Sequence, residues 1–113
     1  MSTLSNGTSN TLVTGTSGND SIYNSGQNVT ISTADGSDTV YNSSGHKSKI
    51  SLGNGNDSLY NYYGDSVSVD AGAGVDTIRN YGNNVSLVGG AGNDYIYSSG
   101  NDVTIGGGAG DDS

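Results

Sequence analysis

Cysteine, proline, tryptophan, phenylalanine and glutamate are all missing from the 113 residues, and methionine appears once. Without cysteine there are no disulfides and no thiolate metal sites, although this does not identify the compartment. Only 30% of the chain is hydrophobic, so a large buried core is out of reach, and such a composition ordinarily leaves a chain disordered. Something other than a globular core must order it. Positive charge is also scarce: three basic residues stand against 11 acids, all aspartate, for a net charge of −8. That balance argues against nucleic acid and anionic membranes as partners and favours cations. No run approaches the length of a membrane-spanning helix, so no membrane insertion is expected. The opening "MSTLSNGTSNTLVTG" has no basic segment followed by an apolar one, so it carries no conventional signal peptide, and secretion would have to use another route.

What the chain has is glycine, 20 residues of it, placed with a period. Asp20, Asp38, Asp57, Asp76, Asp94 and Asp112 recur every 18 or 19 residues. Two positions before each stands Gly18, Gly36, Gly55, Gly74, Gly92 or Gly110. Two positions after the first five stand Ile22, Val40, Leu59, Ile78 and Ile96. Later in each unit, Gly26, Gly45, Gly64, Gly82 or Gly100 precedes alternating inward candidates: Val29/Ile31, Ser48/Ile50, Val67/Val69, Val85/Leu87 and Val103/Ile105. Thr30, Ser86 and Thr104 between them should face solvent. Alternation with period two over such short runs means strand, and no stretch has helical spacing. Each unit reads turn, strand, turn, strand, and the extra residue of a 19-residue unit fits the second turn, near His46 and near Tyr63–Asp65.

A unit of about 18 residues encloses no core alone. Stacked at about 4.8 Å per strand, such units form two parallel sheets with a thin aliphatic seam between them. The expected fold is therefore all-β: a single parallel β-solenoid domain over 1–113, roughly six coils of about 18 residues, with 1–14 a degenerate partial coil.

"GGAGNDYIY" at 89–97 and "GGGAGDDS" at 106–113 fit the nonapeptide Gly-Gly-x-Gly-x-Asp-x-aliphatic-x. Here the sequence resembles the RTX family, whose hemolysin-type calcium-binding repeats form a parallel β-roll. The resemblance spans about residues 15–113. It is weaker at "GTSGNDSIY" and "TADGSDTVY", where the first glycine pair reads Gly15-Thr16 and Thr33-Ala34. The resemblance implies calcium between successive turns, bound by Asp20, Asp38, Asp57, Asp76, Asp94 and Asp112. Carbonyls from the turns of Gly18, Gly36, Gly55, Gly74, Gly92 and Gly110 would complete the shell. Six turns enclose five such gaps. The chemistry agrees, since calcium takes six to eight oxygens and glycine lets a turn aim its carbonyls inward. The alternate turns, "NSGQNV" through "SSGNDV", lack a matching aspartate column; Asp65 and Asp102 have no stacked counterparts. Calcium is expected along one edge only, with Asn and Ser hydrogen-bond ladders on the other.

Rival readings of these features are weaker. Asp, Gly and Asn also populate turns for conformational reasons alone, but columns of aspartate without cations would repel. A phosphate loop would need a lysine and a following helix, and EF-hand spacing is absent. Tyr23, Tyr41, Tyr60 and Tyr97, with Arg79 in the fourth unit, form an outward column. It reads as a stacked ladder, with a sugar- or surface-binding strip as the alternative. Asn24, Asn42, Asn61 and Asn80 suggest an amide ladder. His46, beside Lys47 and Lys49, is expected to be solvated and idle. No catalytic constellation has a plausible pocket, so no enzyme is expected.

Counting back by 18 sets Thr3 in the place of Ser21, Leu4 in that of Ile22 and Asn6 in that of Asn24. The other end stops at Asp112-Ser113, just after a turn. Copies are therefore expected to join head to tail through Thr3, Leu4, Asn6, Asp112 and Ser113, with a sixth, intermolecular calcium gap, unless the chain is a piece of a longer array. Three functions fit: an extracellular calcium-binding building block of filaments or matrix; an RTX segment of a larger secreted toxin, enzyme or adhesin; and, last, an ice-binding RTX region. The third suits least, because Ser17, Asp35, Asn54, Ala73, Ala91 and Ala109 make an irregular ladder.

Overall fold

Runs of three to six residues are too short to hold as isolated strands and gain order only by pairing with the same run one repeat on. A computed structural model, describing residues 2–44 and 46–113, shows that pairing throughout; Gly45 lies outside the described residues. Its strands are β1 (Ser2–Asn6), β2 (Leu12–Thr14), β3 (Asp20–Asn24), β4 (Thr30–Ser32), β5 (Thr39–Asn42), β6 (Lys49–Ser51), β7 (Ser58–Asn61), β8 (Ser68–Asp70), β9 (Thr77–Asn80), β10 (Ser86–Ala91), β11 (Tyr95–Ser98) and β12 (Thr104–Ala109). Odd strands make one six-stranded sheet in chain order and even strands the other. All pairs are parallel. The chain is an all-β solenoid, as its periodicity requires.

Register holds along the stack. Ile22 pairs with Val40, Val40 with Leu59, Leu59 with Ile78 and Ile78 with Ile96. Thr3, Leu4 and Asn6 pair with Ser21, Ile22 and Asn24, the offset expected from counting back. The longer units absorb their extra residue after Asn42 and after Asn61, where the path to the next strand is one residue longer than elsewhere.

Between the sheets lies the aliphatic seam. Ile22, Val40, Leu59 and Ile78 from one sheet meet Ile31, Ile50, Val69 and Leu87 from the other, with Val29, Val67, Val85, Leu52 and Ala71 closing the interior. Leu52 and Ala71 occupy the first position of the nonapeptide, which the repeat pattern reads as part of a turn; here it faces inward. At the last coil no described residue closes the seam, and Ile105 is 49% exposed.

Outside, Tyr23, Tyr41 and Tyr60 stack with ring centroids 4.8 and 5.2 Å apart. Arg79 occupies the next rung, and the ladder sidesteps through Tyr62 and Tyr81, at 6.2 and 6.1 Å, before reaching Tyr97. Ring faces in this column therefore cover one another. At the sheet's end the expected amide ladder is present and buried: each Nδ2 donates to the Oδ1 above, at 2.8 Å from Asn24 to Asn42, 2.8 Å from Asn42 to Asn61 and 2.6 Å from Asn61 to Asn80.

The second turn has a ladder as well. Main-chain N–H groups of Gln27, Asp65, Asn83 and Asn101 donate to Ser9 Oγ, His46 Nδ1, Asp65 Oδ1 and Asn83 Oδ1 of the coil before. His46 is thus a rung of the stack rather than idle: its Nδ1 accepts the Asp65 N–H at 3.0 Å. Beside this ladder runs a column of left-handed residues that the sequence reading missed, Asn10, Asn28, Lys47, Ser66, Asn84 and Asp102, with φ between 54° and 59°. Asparagine at three of the six positions was the available signal.

Candidate metal centre

The glycine-rich turns lie along the opposite edge, and the aspartate that ends each of the first five begins or immediately precedes an odd strand. Stacking brings Asp20, Asp38, Asp57, Asp76, Asp94 and Asp112 into one column, and all but the last are buried. Each Oδ1 accepts a main-chain N–H from the coil before. Asp20 N–H reaches Asp38 at 2.7 Å, Asp38 N–H reaches Asp57 at 2.7 Å, and Asp57 N–H reaches Asp76 at 2.8 Å. Asp76 and Asp94 continue the chain at 2.9 Å each. One oxygen of every carboxylate is therefore committed to the stack, so the two aspartates flanking a gap are not both free to serve it through both oxygens.

The other oxygen is the unusual one. Oδ2 of Asp38, Asp57, Asp76 and Asp94 is buried with no hydrogen-bond partner. A carboxylate oxygen stripped of water and given no donor is costly, on the order of 1–3 kcal/mol for a neutral group and more for a charged one. Burial accordingly pushes Asp38 above the usual carboxylate range and lifts Asp57 and Asp76 to about 6 each. Asp20 differs. The Thr16 N–H beside it holds its carboxyl below the usual value.

Main-chain oxygens face the same gaps. In the turns 33–38, 52–57, 71–76, 89–94 and 107–112 the second and fourth residues both take positive φ, from 75° at Ala34 to 138° at Gly55. The carbonyls of Gly36, Gly55, Gly74 and Gly92 accept no hydrogen bond among the described residues. Each lies against the α-carbon of the glycine one coil on, so close that a Cβ on Gly74 would overlap the Gly55 oxygen. Only glycine fits that column. Neighbouring turns are tied by N–H···O=C bonds such as Gly55 to Ala73, at 2.8 Å, and Gly74 to Ala91, at 2.8 Å.

Among the described residues no three Asp or His side chains converge on one point, so a cation here would rely on carbonyls for most of its shell. The donor set suits a hard cation: an orphaned carboxylate oxygen in four of the six turns, unengaged carbonyls beside it, and no nitrogen or sulfur. An ion at this edge would satisfy the very oxygens that the protein leaves without donors.

A family model of the RTX calcium-binding nonapeptide repeat matches in four copies, over residues 6–28, 14–46, 70–105 and 80–113. No curated protein and no solved structure matches the chain. The unmatched stretch 47–69 holds Leu52 in place of the first glycine and the longer second turn, yet it winds in register with its neighbours. Repeat, β-roll and turn chemistry agree, and the chain belongs to the family of RTX calcium-binding nonapeptide repeats.

Proposed function

We propose that this chain is a structural calcium-binding module that works outside the cell and has no catalytic role. The observation that carries this reading is the row of buried, donorless oxygens on Asp38, Asp57, Asp76 and Asp94. With the carbonyls of Gly36, Gly55, Gly74 and Gly92, these oxygens would hold calcium in the gaps between turns. The bound ion supplies positive charge that cancels the repulsion of the column. The chain's own part is to present dry oxygens at fixed spacing, clamped by the N–H to Oδ1 bonds. Extracellular calcium modules have dissociation constants of about 10⁻⁴–10⁻³ M, so they are empty in the cytosol and fill after export. Folding is then coupled to binding. A calcium titration followed by circular dichroism tests this: a β-signal growing with calcium and lost in chelator is expected, and a spectrum unmoved by either sinks the reading.

Self-assembly belongs to the same proposal. Among the described residues β1 and β2 are the edge strands at one end and β11 and β12 at the other, and parallel edges of this kind invite addition of another coil. Ser113 has already begun the next rung, its N–H donating to Asp94 at 2.8 Å and its carbonyl accepting from Ile96 at 2.6 Å. A contact of this head-to-tail type propagates into a filament unless it closes into a ring. Thr3, Leu4 and Asn6 of one copy would continue the stack past Asp112 and Ser113 of the next. Electron microscopy should show filaments in calcium and none in chelator; dispersed particles at millimolar calcium would remove the assembly and leave the calcium module. The alternative place for such a module, within a larger secreted toxin, enzyme or adhesin, uses the same edges to continue one chain's own coils.

A further inference from the structure

The six turns look alike in sequence, but one is built differently. At Asp20 the carboxylate has no orphaned oxygen. Thr16 donates its main-chain N–H to Oδ2 at 2.5 Å, and its hydroxyl lies 3.0 and 3.1 Å from Oδ1 and Oδ2. The Thr16 Oγ1 in turn accepts the Gly18 N–H at 3.1 Å. The turn closes on itself.

Its backbone differs to match. The other five turns take positive φ at their second and fourth residues; Thr16 and Gly18 do not. The bridges that tie turn to turn run Asp35–Asn54–Ala73–Ala91 and begin only at the second turn. Loss of the glycine pair is not the cause by itself. The second turn has lost it too, reading Thr33-Ala34, yet Ala34 holds φ at 75°, and the Thr33 hydroxyl donates to the Leu52 carbonyl. The Thr33 hydroxyl also lies near the Asp38 carboxylate and favours its charged form, but with its proton given to Leu52 it leaves Asp38 Oδ2 without a partner. What singles out the first turn is a hydroxyl placed one residue later, on the residue whose N–H also reaches the carboxylate.

We propose that Thr16 takes the place of a cation at Asp20, so that the turn 15–20 binds no calcium and serves as a metal-independent first coil. The inference rests on the calcium reading above and refines its count. Five turns share the positive-φ geometry, they enclose four gaps, and four aspartates carry an orphaned oxygen. Four ions per chain are expected, one fewer than six aspartate turns would suggest.

Calcium stoichiometry of the full chain, measured by titration calorimetry and equilibrium dialysis, tests this. Thr16→Gly removes the hydroxyl and permits positive φ, and it should bind one ion more than the parent chain. Thr16→Ser keeps the hydroxyl and should keep the parent count. Asp20→Asn should leave the count unchanged, whereas Asp57→Asn should lower it. A parent chain that already binds five ions, or an Asp20→Asn chain that loses one, overturns the proposal. So does a Thr16→Gly chain that folds in calcium without gaining an ion. Should Thr16→Gly fail to fold, the comparison of Asp20→Asn with Asp57→Asn still decides. A parent chain that takes up no calcium, with Asp57→Asn indistinguishable from it, defeats the calcium reading itself rather than this refinement alone.

Discussion

Acid should stabilise the calcium-free solenoid, and calcium should reverse that dependence. Asp57 and Asp76 keep their protons to about pH 6 when folded, against 3.8 for an unperturbed aspartate, because burial disfavours the charge. Between those two values the unfolded chain has released protons that the folded chain still holds. The folded state therefore binds more protons, and stability falls as pH rises through the window. At about 1.4 kcal/mol per pKa unit, the full shift is about 3 kcal/mol for each group; water close to the edge screens part of it, leaving about 1–2 kcal/mol each. Asp38 moves in the same direction. Asp20, lowered by its Thr16 bond, works the other way, but its contribution is lost only as pH falls below the usual carboxylate range. In about 10 mM calcium, a site with a dissociation constant of about 10⁻⁴–10⁻³ M adds about 1.4–2.7 kcal/mol. Protons compete for the same oxygens, so that gain grows as pH rises. Thermal melts by circular dichroism at about pH 5 and about pH 7.5, in chelator and in calcium, give four conditions. In chelator the chain should lack folded β-signal at about pH 7.5 and regain it at about pH 5, while the calcium-loaded chain should melt higher at the upper pH. Parallel profiles with and without calcium would show that the buried carboxylates are not where the ion sits. A chelated chain that gains stability with rising pH would refute the burial argument.

Other consequences are separable from that one. Gly74→Ala places a Cβ on the Gly55 carbonyl at φ 134°, and should cost about 3 kcal/mol or more of unfolding free energy, measured in denaturant with calcium present. Leu59→Ala empties part of the seam and should cost about 2–4 kcal/mol by the same measurement, with no change in calcium stoichiometry. Ser66→Gly relieves a left-handed residue at φ 59° and should raise stability by about 1 kcal/mol, seen as a higher melting temperature.

Much of the fold was legible because a solenoid repeats its reasons. Period-two alternation at pairs such as Val29/Ile31 and Val85/Leu87 could mean only strands, and the recurrence of Ile22, Val40, Leu59, Ile78 and Ile96 once per unit could mean only parallel stacking in register. Positions whose environment is set by neighbours one coil away were harder to read. Leu52 and Ala71 sit where the nonapeptide has glycine, and only the wound coil turns that position inward. His46 looked idle because the group that its ring accepts from is the main-chain N–H of Asp65, 19 residues on. Left-handed Lys47 and Ser66 carry no signature of their own; the column they share with Asn10, Asn28 and Asn84 gives them meaning.

By itself the sequence determined the period, the strands, the parallel sheets and the aspartate column, since those follow from spacing and side-chain type alone. Tertiary structure decided which of six similar aspartates is satisfied and which is not. A hydrogen bond depends on where a donor ends up within a few tenths of an ångström, and no residue count carries that information. Thr16 and Thr33 lie at neighbouring positions of the repeat and hold the same hydroxyl. Thr16 gives its carboxylate both a hydroxyl and an N–H, whereas Thr33, beside Asp38, donates its proton to a carbonyl instead, because the backbone beneath them turns differently.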